Sequence, residues 1–118
     1  MSVGFGAVAF ANTDISASRN SNPIGIQFLP YGLLHIHVVT TGTAAGTLNI
    51  QFSNDDGGTA QPALATITNW NSDPTYTTSV SGAGNYSFNI PYAGARWCRI
   101  AYTASSGTGT IAARWSGR

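Results

Sequence analysis

Apolar and polar residues alternate with a period of two along most of the chain, most clearly between residues 81 and 115. Such a period places alternate side chains on opposite sides of a β-strand. Because Gly-rich turns separate three strands there, the pattern predicts an antiparallel meander with one apolar and one polar face. The apolar positions of the three strands are Tyr86, Phe88 and Ile90, then Cys98, Ile100 and Tyr102, then Ile111, Ala113 and Trp115.

The rest of the chain contains further strand patterns, which must supply a cover for that apolar face. Residues 33–40 are partly apolar on both faces, with Leu34, Ile36 and Val38 on one of them, which predicts a strand that is central or lies under an interface. Residues 47–53 alternate cleanly, with Leu48, Ile50 and Phe52 predicted to face inward. A turn at 82–84 predicts a hairpin between a strand at 75–81 and the Tyr86 strand. Weaker strands are predicted at residues 2–11, 24–28 and 61–68.

Eight or nine short strands with turns about every 8 to 12 residues are typical of an all-β, antiparallel β-sandwich with jelly-roll or Greek-key connections. The whole chain, 1–118, is predicted to form this single domain. Residues 1–23 form either an N-terminal arm lying on a neighbouring subunit or an ordinary edge strand, because the polar connection at 12–23 is long enough for both.

The composition supports strands and turns, and it leaves the surface short of charge. Ser, Thr, Asn and Gly supply 49 of the 118 residues, and charged residues make up 8%, against about 25% in ordinary soluble domains. Interspersed charge normally keeps soluble domains apart. We therefore expect much of the surface to be covered by other copies or by a partner, the alternative being a surface solvated by Ser, Thr and Asn.

Charge and apolar runs also bear on partners. A formal net charge of +1 argues against electrostatic nucleic-acid binding, and no apolar run approaches the roughly 20 residues of a membrane span. Residues 1–80 carry a net −3 and residues 81–118 a net +4. The positive half is either a docking patch for an acidic surface or a set of solvated strand edges.

Candidate catalytic and metal-binding groups are few. His35 and His37 share one face of a strand, the spacing of an H-x-H metal pair, but no third ligand can be placed beside them, so polar packing or interface hydrogen bonding is favoured. The run from Asn54 to Asp56 is interpreted as a turn rather than a calcium loop. The single Cys98 falls on an apolar face and is predicted to be a core residue.

We expect no metal, no cofactor and no enzymatic activity. The sequence contains no nucleophile elbow, phosphate loop or zincin motif. A hydrolase would need two carboxylates flanking a cleft, and the chain offers four Asp residues in predicted loops.

The side chains best suited to bind a glycan or a protein partner are aromatic and basic. Trp97 and Arg99 are predicted to share an outward, exposed face, with Trp70 and Tyr92 in loops, and such aromatics stack on sugar rings or anchor protein interfaces. Arg96, Arg99 and Arg114 are predicted to lie together on the polar face of the meander. The candidate interface residues are Arg96, Trp97, Arg99, Arg114, Trp70, Tyr92, His35 and His37.

Two segments, GTAAGTLNIQFSNDDG at 42–57 and the stretch at 79–118, resemble small β-sandwich modules of the structural proteins of tailed bacteriophages. Those modules pair a G-x-L-x-I-Q-x-S-N-D strand and turn with a later Y-R-x-x-R-V-x-Y-T-x-x-S-G-T-G hairpin. The resemblance covers about half of the chain. Ala95 stands where the modules have an aromatic residue, and the first 40 residues have no counterpart.

The resemblance implies a virion structural protein, most simply a capsid decoration or cement protein that bridges neighbouring capsid subunits. Its implied partners are the major capsid protein and further copies of itself, as a dimer or trimer. It would be made in the host cytoplasm and end on the capsid surface. The alternative is a glycan- or receptor-binding module of a head or tail fibre, which would use Trp97, Arg99, Trp70 and Tyr92.

Overall fold

The computed structural model describes residues 5–26, 29–55, 67–91 and 95–118, and within them the regular structure is β-strand. No helix in this part of the chain is long and apolar enough to cross a membrane. The strands are β1 (Phe5–Asp14), β2 (Arg19–Asn20), β3 (Ile24–Gly25), β4 (Leu34–Thr40), β5 (Ala45–Ser53), β6 (Asn71–Ser81), β7 (Gly84–Ile90), β8 (Trp97–Ser106) and β9 (Thr110–Gly117).

The described strands form two antiparallel sheets that enclose the core. The first sheet has the order β1-β9-β4-β7, and the second has the order β2-β8-β5-β6 with β3 also paired to β8. Among these strands, the chain passes between the sheets at six connections: β1 to β2, β3 to β4, β4 to β5, β6 to β7, β7 to β8 and β8 to β9. This order is the jelly roll, so the predicted all-β sandwich is confirmed.

The predicted meander at residues 81–115 is wrong. Its three strands exist as β7, β8 and β9, but β7 and β9 belong to the first sheet and β8 to the second, so none of them pairs with the next. The predicted hairpin between β6 and β7 is wrong for the same reason. Alternation identifies the side chains that face the core, and it is the same whether the next strand lies beside or across the sandwich.

Four connections that cross between the sheets meet at one end of the sandwich, which we call the crossing end. They are residues 15–18, 41–44, 82–83 and 107–109. Backbone hydrogen bonds join them directly, with N···O distances of 3.0 Å from Ile15 to Gly109, 2.7 Å from Thr43 to Thr108 and 2.8 Å from Gly82 to Ala44.

Glycines allow this close approach. A Cβ atom on Gly42, which has a φ of 79°, would lie 2.5 Å from the Thr108 carbonyl oxygen. A Cβ on Gly109 would overlap the Thr41 carbonyl oxygen. Because each neighbouring atom is backbone, neither clash could be relieved by a side-chain rotation, and the crossings need these glycines.

The core is built from the inward positions of β4, β5, β8 and β9. Residues predicted to face inward are buried, among them Ile36 and Leu48, each fully buried. Cys98 is also fully buried, as predicted, and burial raises the pKa of its thiol to about 12. Burial, with a smaller contribution from Tyr86, raises the pKa of the Tyr102 phenol, whose oxygen has no hydrogen-bond partner among the described residues.

The N-terminal strand β1 is an edge strand that pairs with β9 of its own chain. The register between them shifts twice, between Val8 and Phe10 and between Phe10 and Thr13, and Asn12 adopts a positive φ of 48°. The shifts place two successive residues, Ala9 and Phe10, in the core. Residues 2–4, 27–28 and 61–66 of the three weaker predicted strands lie outside the described residues.

Substitution of Gly109 by Ala should lower the free energy of unfolding by about 1–3 kcal/mol, the usual cost of overpacking a tightly fitted site. The added methyl group would push against the Thr41 carbonyl and loosen the crossing end. Urea unfolding measures the change, with Thr108→Ala as the control because Thr108 is exposed. A loss in Gly109→Ala no larger than that in the control would contradict the packing argument.

The buried thiol should make the protein less stable in alkali. Its pKa rises from 9.0 to about 12 on folding, so the folded state keeps a proton that the unfolded state loses. The free energy of unfolding should fall between these two pH values, by up to about 1.4 kcal/mol per pH unit from this group. Cys98→Ala, which removes this thiol alone, should show a shallower alkaline decline; an unchanged slope would refute the assignment.

Candidate functional site

The outer face of the first sheet carries both candidate histidines in two neighbouring rows of side chains. In one row, His37 of β4 lies between Arg114 of β9 and Ser87 of β7. In the other row, His35 lies between Ser116 of β9 and Asn89 of β7. His35 is half-buried, and His37 and Arg114 are exposed.

Each histidine hydrogen-bonds to an asparagine of β7. His35 Nδ1 lies 2.6 Å from Asn89 Oδ1, and His37 Nε2 lies 3.2 Å from Asn85 Oδ1. An amide oxygen accepts only, so each of these ring nitrogens carries the hydrogen. No group of three or more His, Cys, Asp or Glu side chains that could hold a metal occurs in the described parts of the chain. The geometry therefore favours a polar, hydrogen-bonded role for both histidines.

A surface cavity of about 520 Å³ lies at the end of this face that is remote from the crossing end. Its volume falls within the usual range of small-molecule sites, about 300–1,000 Å³. Polar groups of three different strands meet beside an apolar floor, which suits a ligand with both hydroxyl and apolar surfaces. The side chains lining it include Leu33, His35, Asn89, Pro91, Ser116 and Arg118.

The outer face of the second sheet holds a separate polar cluster centred on Arg99. The Arg99 guanidinium lies 4.5 Å from the centre of the Trp70 ring, and its Nε donates to Gln51 Oε1 at 2.7 Å. Gln51 Nε2 in turn donates to Ser72 Oγ at 3.1 Å. Trp70 is itself fixed by a hydrogen bond from Nε1 to the Ile67 carbonyl.

Arg99 and Trp70, which were expected to bind a partner, contact each other within this cluster. Desolvation lowers the pKa of the Arg99 guanidinium from its usual value, and arginine nevertheless stays charged at any ordinary pH. Its charge is directed to the Trp70 ring and Gln51 within the same chain. Arg99 and Trp70 therefore act first as internal contacts that hold the loop before β6 against β5 and β8.

Two further expectations about the candidate residues are wrong. Trp97 was predicted to share an exposed face with Arg99, but its side chain is only 7% exposed, so it is not a surface aromatic. Arg99 and Arg114 lie on the outer faces of different sheets, so the basic residues do not form one patch. Arg96 is exposed, and its N–H donates to Asn54 Oδ1 at 2.8 Å. Tyr92 lies outside the described residues.

Two residues of the run predicted to be a turn, Asn54 and Asp55, belong to the described part of the chain. Asp55 pairs with Thr68 in an isolated bridge, and its carboxylate accepts hydrogen bonds from the Thr68 hydroxyl and the Asn69 amide. Asp56 lies outside the described residues. These bonds tie two parts of one loop together.

Sequence reasoning missed the polar residues that complete the first face. Asn85 and Asn89 lie four residues apart in β7 and bond to His37 and His35, which lie two apart in β4. Both asparagines belong to the polar set of an alternating strand, so their outward direction was readable. Their strand partner was not, because it depends on the sheet to which β7 belongs.

Comparison with known proteins places the fold but not a family. No protein-family model matches the chain, and no curated protein does. Among solved structures, the SPBc2 prophage-derived protein YomS matches with a TM-score of 0.56 and 8% identity, over 99% of this chain and 97% of YomS. PirA matches with a TM-score of 0.53 and 11% identity, over 98% of this chain and 94% of PirA.

A viral chain has a similar fold. A chain in the structure of infectious bursal disease virus Gx strain matches 97% of this protein with a TM-score of 0.50 and 9% identity, and the match covers 31% of the viral chain. Identities this low show a shared fold. The jelly roll of this protein thus recurs in a prophage-derived protein and in a virus.

Replacement of Arg99 by Ala should lower the free energy of unfolding by about 1–2 kcal/mol, since it removes a cation–π contact and a charge-assisted hydrogen bond. Arg114→Ala, on the exposed face of the other sheet, is the matched control and should change stability by less than about 0.5 kcal/mol. Urea titrations followed by tryptophan fluorescence would measure both. Equal effects would show that the Arg99 cluster contributes nothing beyond an ordinary surface arginine.

Proposed function

We propose that this protein is a structural component of a phage virion, and most specifically a capsid decoration or cement protein. The observation that carries the proposal is the match to the prophage-derived YomS over nearly the whole length of both chains. The match to a chain of a virus adds support. The sequence resemblance to tailed-phage modules at 42–57 and 79–118 points in the same direction through independent features.

The mechanism we propose is the burial of surface against the capsid. A chain with 8% charged residues pays little desolvation cost when its outer faces are covered. A copy that contacts two or more capsid subunits stabilises the assembled shell by mass action, because it binds the assembled state and not the separated subunits. No catalytic chemistry is needed for this role.

The outer face of the first sheet is the better candidate for docking. Three of its four strands, β4, β7 and β9, contain no acidic residue, and the fourth, β1, has Asp14 only at its last position; Arg114 and His37 are exposed on this sheet. On the other face, Arg99 is engaged by Trp70 and Gln51. An acidic surface of the major capsid protein would therefore find its charge partner at Arg114.

The second candidate function is a glycan- or receptor-binding module of a head or tail fibre. The aromatic residues first considered for it are not well placed, since Trp97 is buried and Trp70 stacks under Arg99. The cavity of about 520 Å³ beside His35 and Asn89 is the observation that keeps this candidate. Amide, hydroxyl and imidazole groups are suitable partners for sugar hydroxyls.

Virions of the source phage that lack this gene would test both candidates. A cement protein should leave gene-deleted virions that release DNA at a lower temperature, and added purified protein should restore the wild-type value. Arg114→Glu should restore it poorly, because the reversed charge would face an acidic capsid surface, whereas Arg19→Glu on β2 of the other sheet should restore it normally.

DNA release is followed with a dye that the intact shell excludes, and adsorption to host cells is measured on the same particles. Equal release temperatures for deleted and complete virions would sink the cement function. Unchanged heat resistance with reduced adsorption would instead support the fibre module.

A further inference from the structure

Three of the four sheet edges in the described structure carry features that block the addition of another strand. β1 is interrupted by two register shifts. β6 contains Pro74, and its pairing with β5 breaks between Asn49 and Gln51. The remaining edge consists of β2 and β3, each of two residues. Bulges, proline and very short strands are the usual means by which proteins protect open edges.

The fourth edge, β7, has none of these features. Its seven residues pair with β4 in seven successive steps without a register shift. The strand, GNYSFNI, contains no charged residue and no proline. None of the described residues pairs with its other side. The edge therefore presents a regular row of backbone donors and acceptors to an incoming strand.

The sequence of β7 is nearly symmetric about Ser87. In an antiparallel pair of two β7 strands centred on this residue, Ser87 would face its own copy. Tyr86 would lie opposite the partner's Phe88, and Asn85 opposite the partner's Asn89. Opposed residues share a face of the sheet, so aromatic meets aromatic on the inner face and amide meets amide on the outer face. Cross-strand aromatic pairs are among the favourable ones.

We propose that two copies of this chain pair through β7, antiparallel and about a twofold axis at Ser87, to form a dimer with a continuous eight-stranded sheet. A twofold contact requires a self-complementary surface, which β7 supplies. The strand order becomes β1-β9-β4-β7 followed by the same four strands reversed. The dimer goes beyond the proposed virion role and does not depend on it.

The pairing also joins the two outer faces into one surface. His37 bonds to Asn85 and His35 to Asn89 within each chain. The dimer places these pairs end to end, so that a row of two histidines and two asparagines crosses the twofold axis on each side of Ser87. Because a strand pair is a small interface, we expect a dissociation constant in the micromolar range.

Sedimentation equilibrium of the purified chain tests the dimer. Ser87 is exposed on the outer face, so Ser87→Lys should fold normally but place two like charges opposite each other, raising the dissociation constant about tenfold or more. Ser87→Asp should do the same, and an equimolar mixture of the two variants should restore a dimer. Ser79→Lys, the same substitution on the outer face of edge strand β6, should dimerise like the unmodified chain.

A cross-link then tests the geometry. Opposed residues of an antiparallel pair have Cα atoms about 4.5–5.5 Å apart, a separation that a disulfide spans. Ser87→Cys should therefore form a covalent dimer under mild oxidation, whereas Ser79→Cys should not. The native Cys98 is buried and should not interfere. A monomeric chain at high micromolar concentration, or a dimer that Ser87→Lys leaves intact, would overturn the proposal.

Discussion

The close contact of the crossing connections is the constraint on which the fold depends. The loops at 41–44 and 107–109 lead the chain from β4 to β5 and from β8 to β9, in each case into the opposite sheet. Their backbones are hydrogen-bonded to each other, with 2.7 Å between Thr43 N and Thr108 O. A Cβ atom on Gly42 or Gly109 would clash with a backbone carbonyl oxygen of the other loop, which is why these two positions require glycine. Each crossing sends the next strand into the opposite sheet and so fixes the sheet to which that strand belongs.

The same constraint separates the two ends of the molecule. Once its backbone groups bond to one another, the crossing end has few left for a ligand. The opposite end carries the described chain ends, Phe5 opposite Gly117 and Leu33 bonded to Arg118, together with the longer connections. It also holds the cavity. The hydrogen-bonded loops of the crossing end therefore stabilise the fold, while the opposite end and the outer faces of the sheets are available for contacts.

The sequence was sufficient to predict most of the side chains that face the core, because in a regular strand the facing side depends only on alternation. Leu48, Cys98 and Ile36 all lie where the pattern placed them. It was insufficient to predict strand neighbours, since an alternating strand fits either sheet equally well. The error about the basic patch has this origin: Arg99 and Arg114 were placed on one face because β8 and β9 were assumed to pair. The stacking of Arg99 on Trp70 likewise joins segments that only the folded sheet brings together.

Low charge leaves the protein to protect its edges by backbone shape. A chain without Lys or Glu cannot place charges along its open strands in the usual way. The β6 edge shows the substitute: the Asn49 amide donates to the Asp73 and Tyr76 carbonyls and to the Thr77 hydroxyl, which holds the irregular segment around Pro74 in place. The cost is the buried Asn49 Oδ1, which has no hydrogen-bond partner among the described residues. The two edges therefore differ: the β6 edge is irregular and leaves a buried polar atom unsatisfied, whereas the β7 edge is regular. The regular edge is also the one whose sequence, GNYSFNI, is nearly symmetric about its centre.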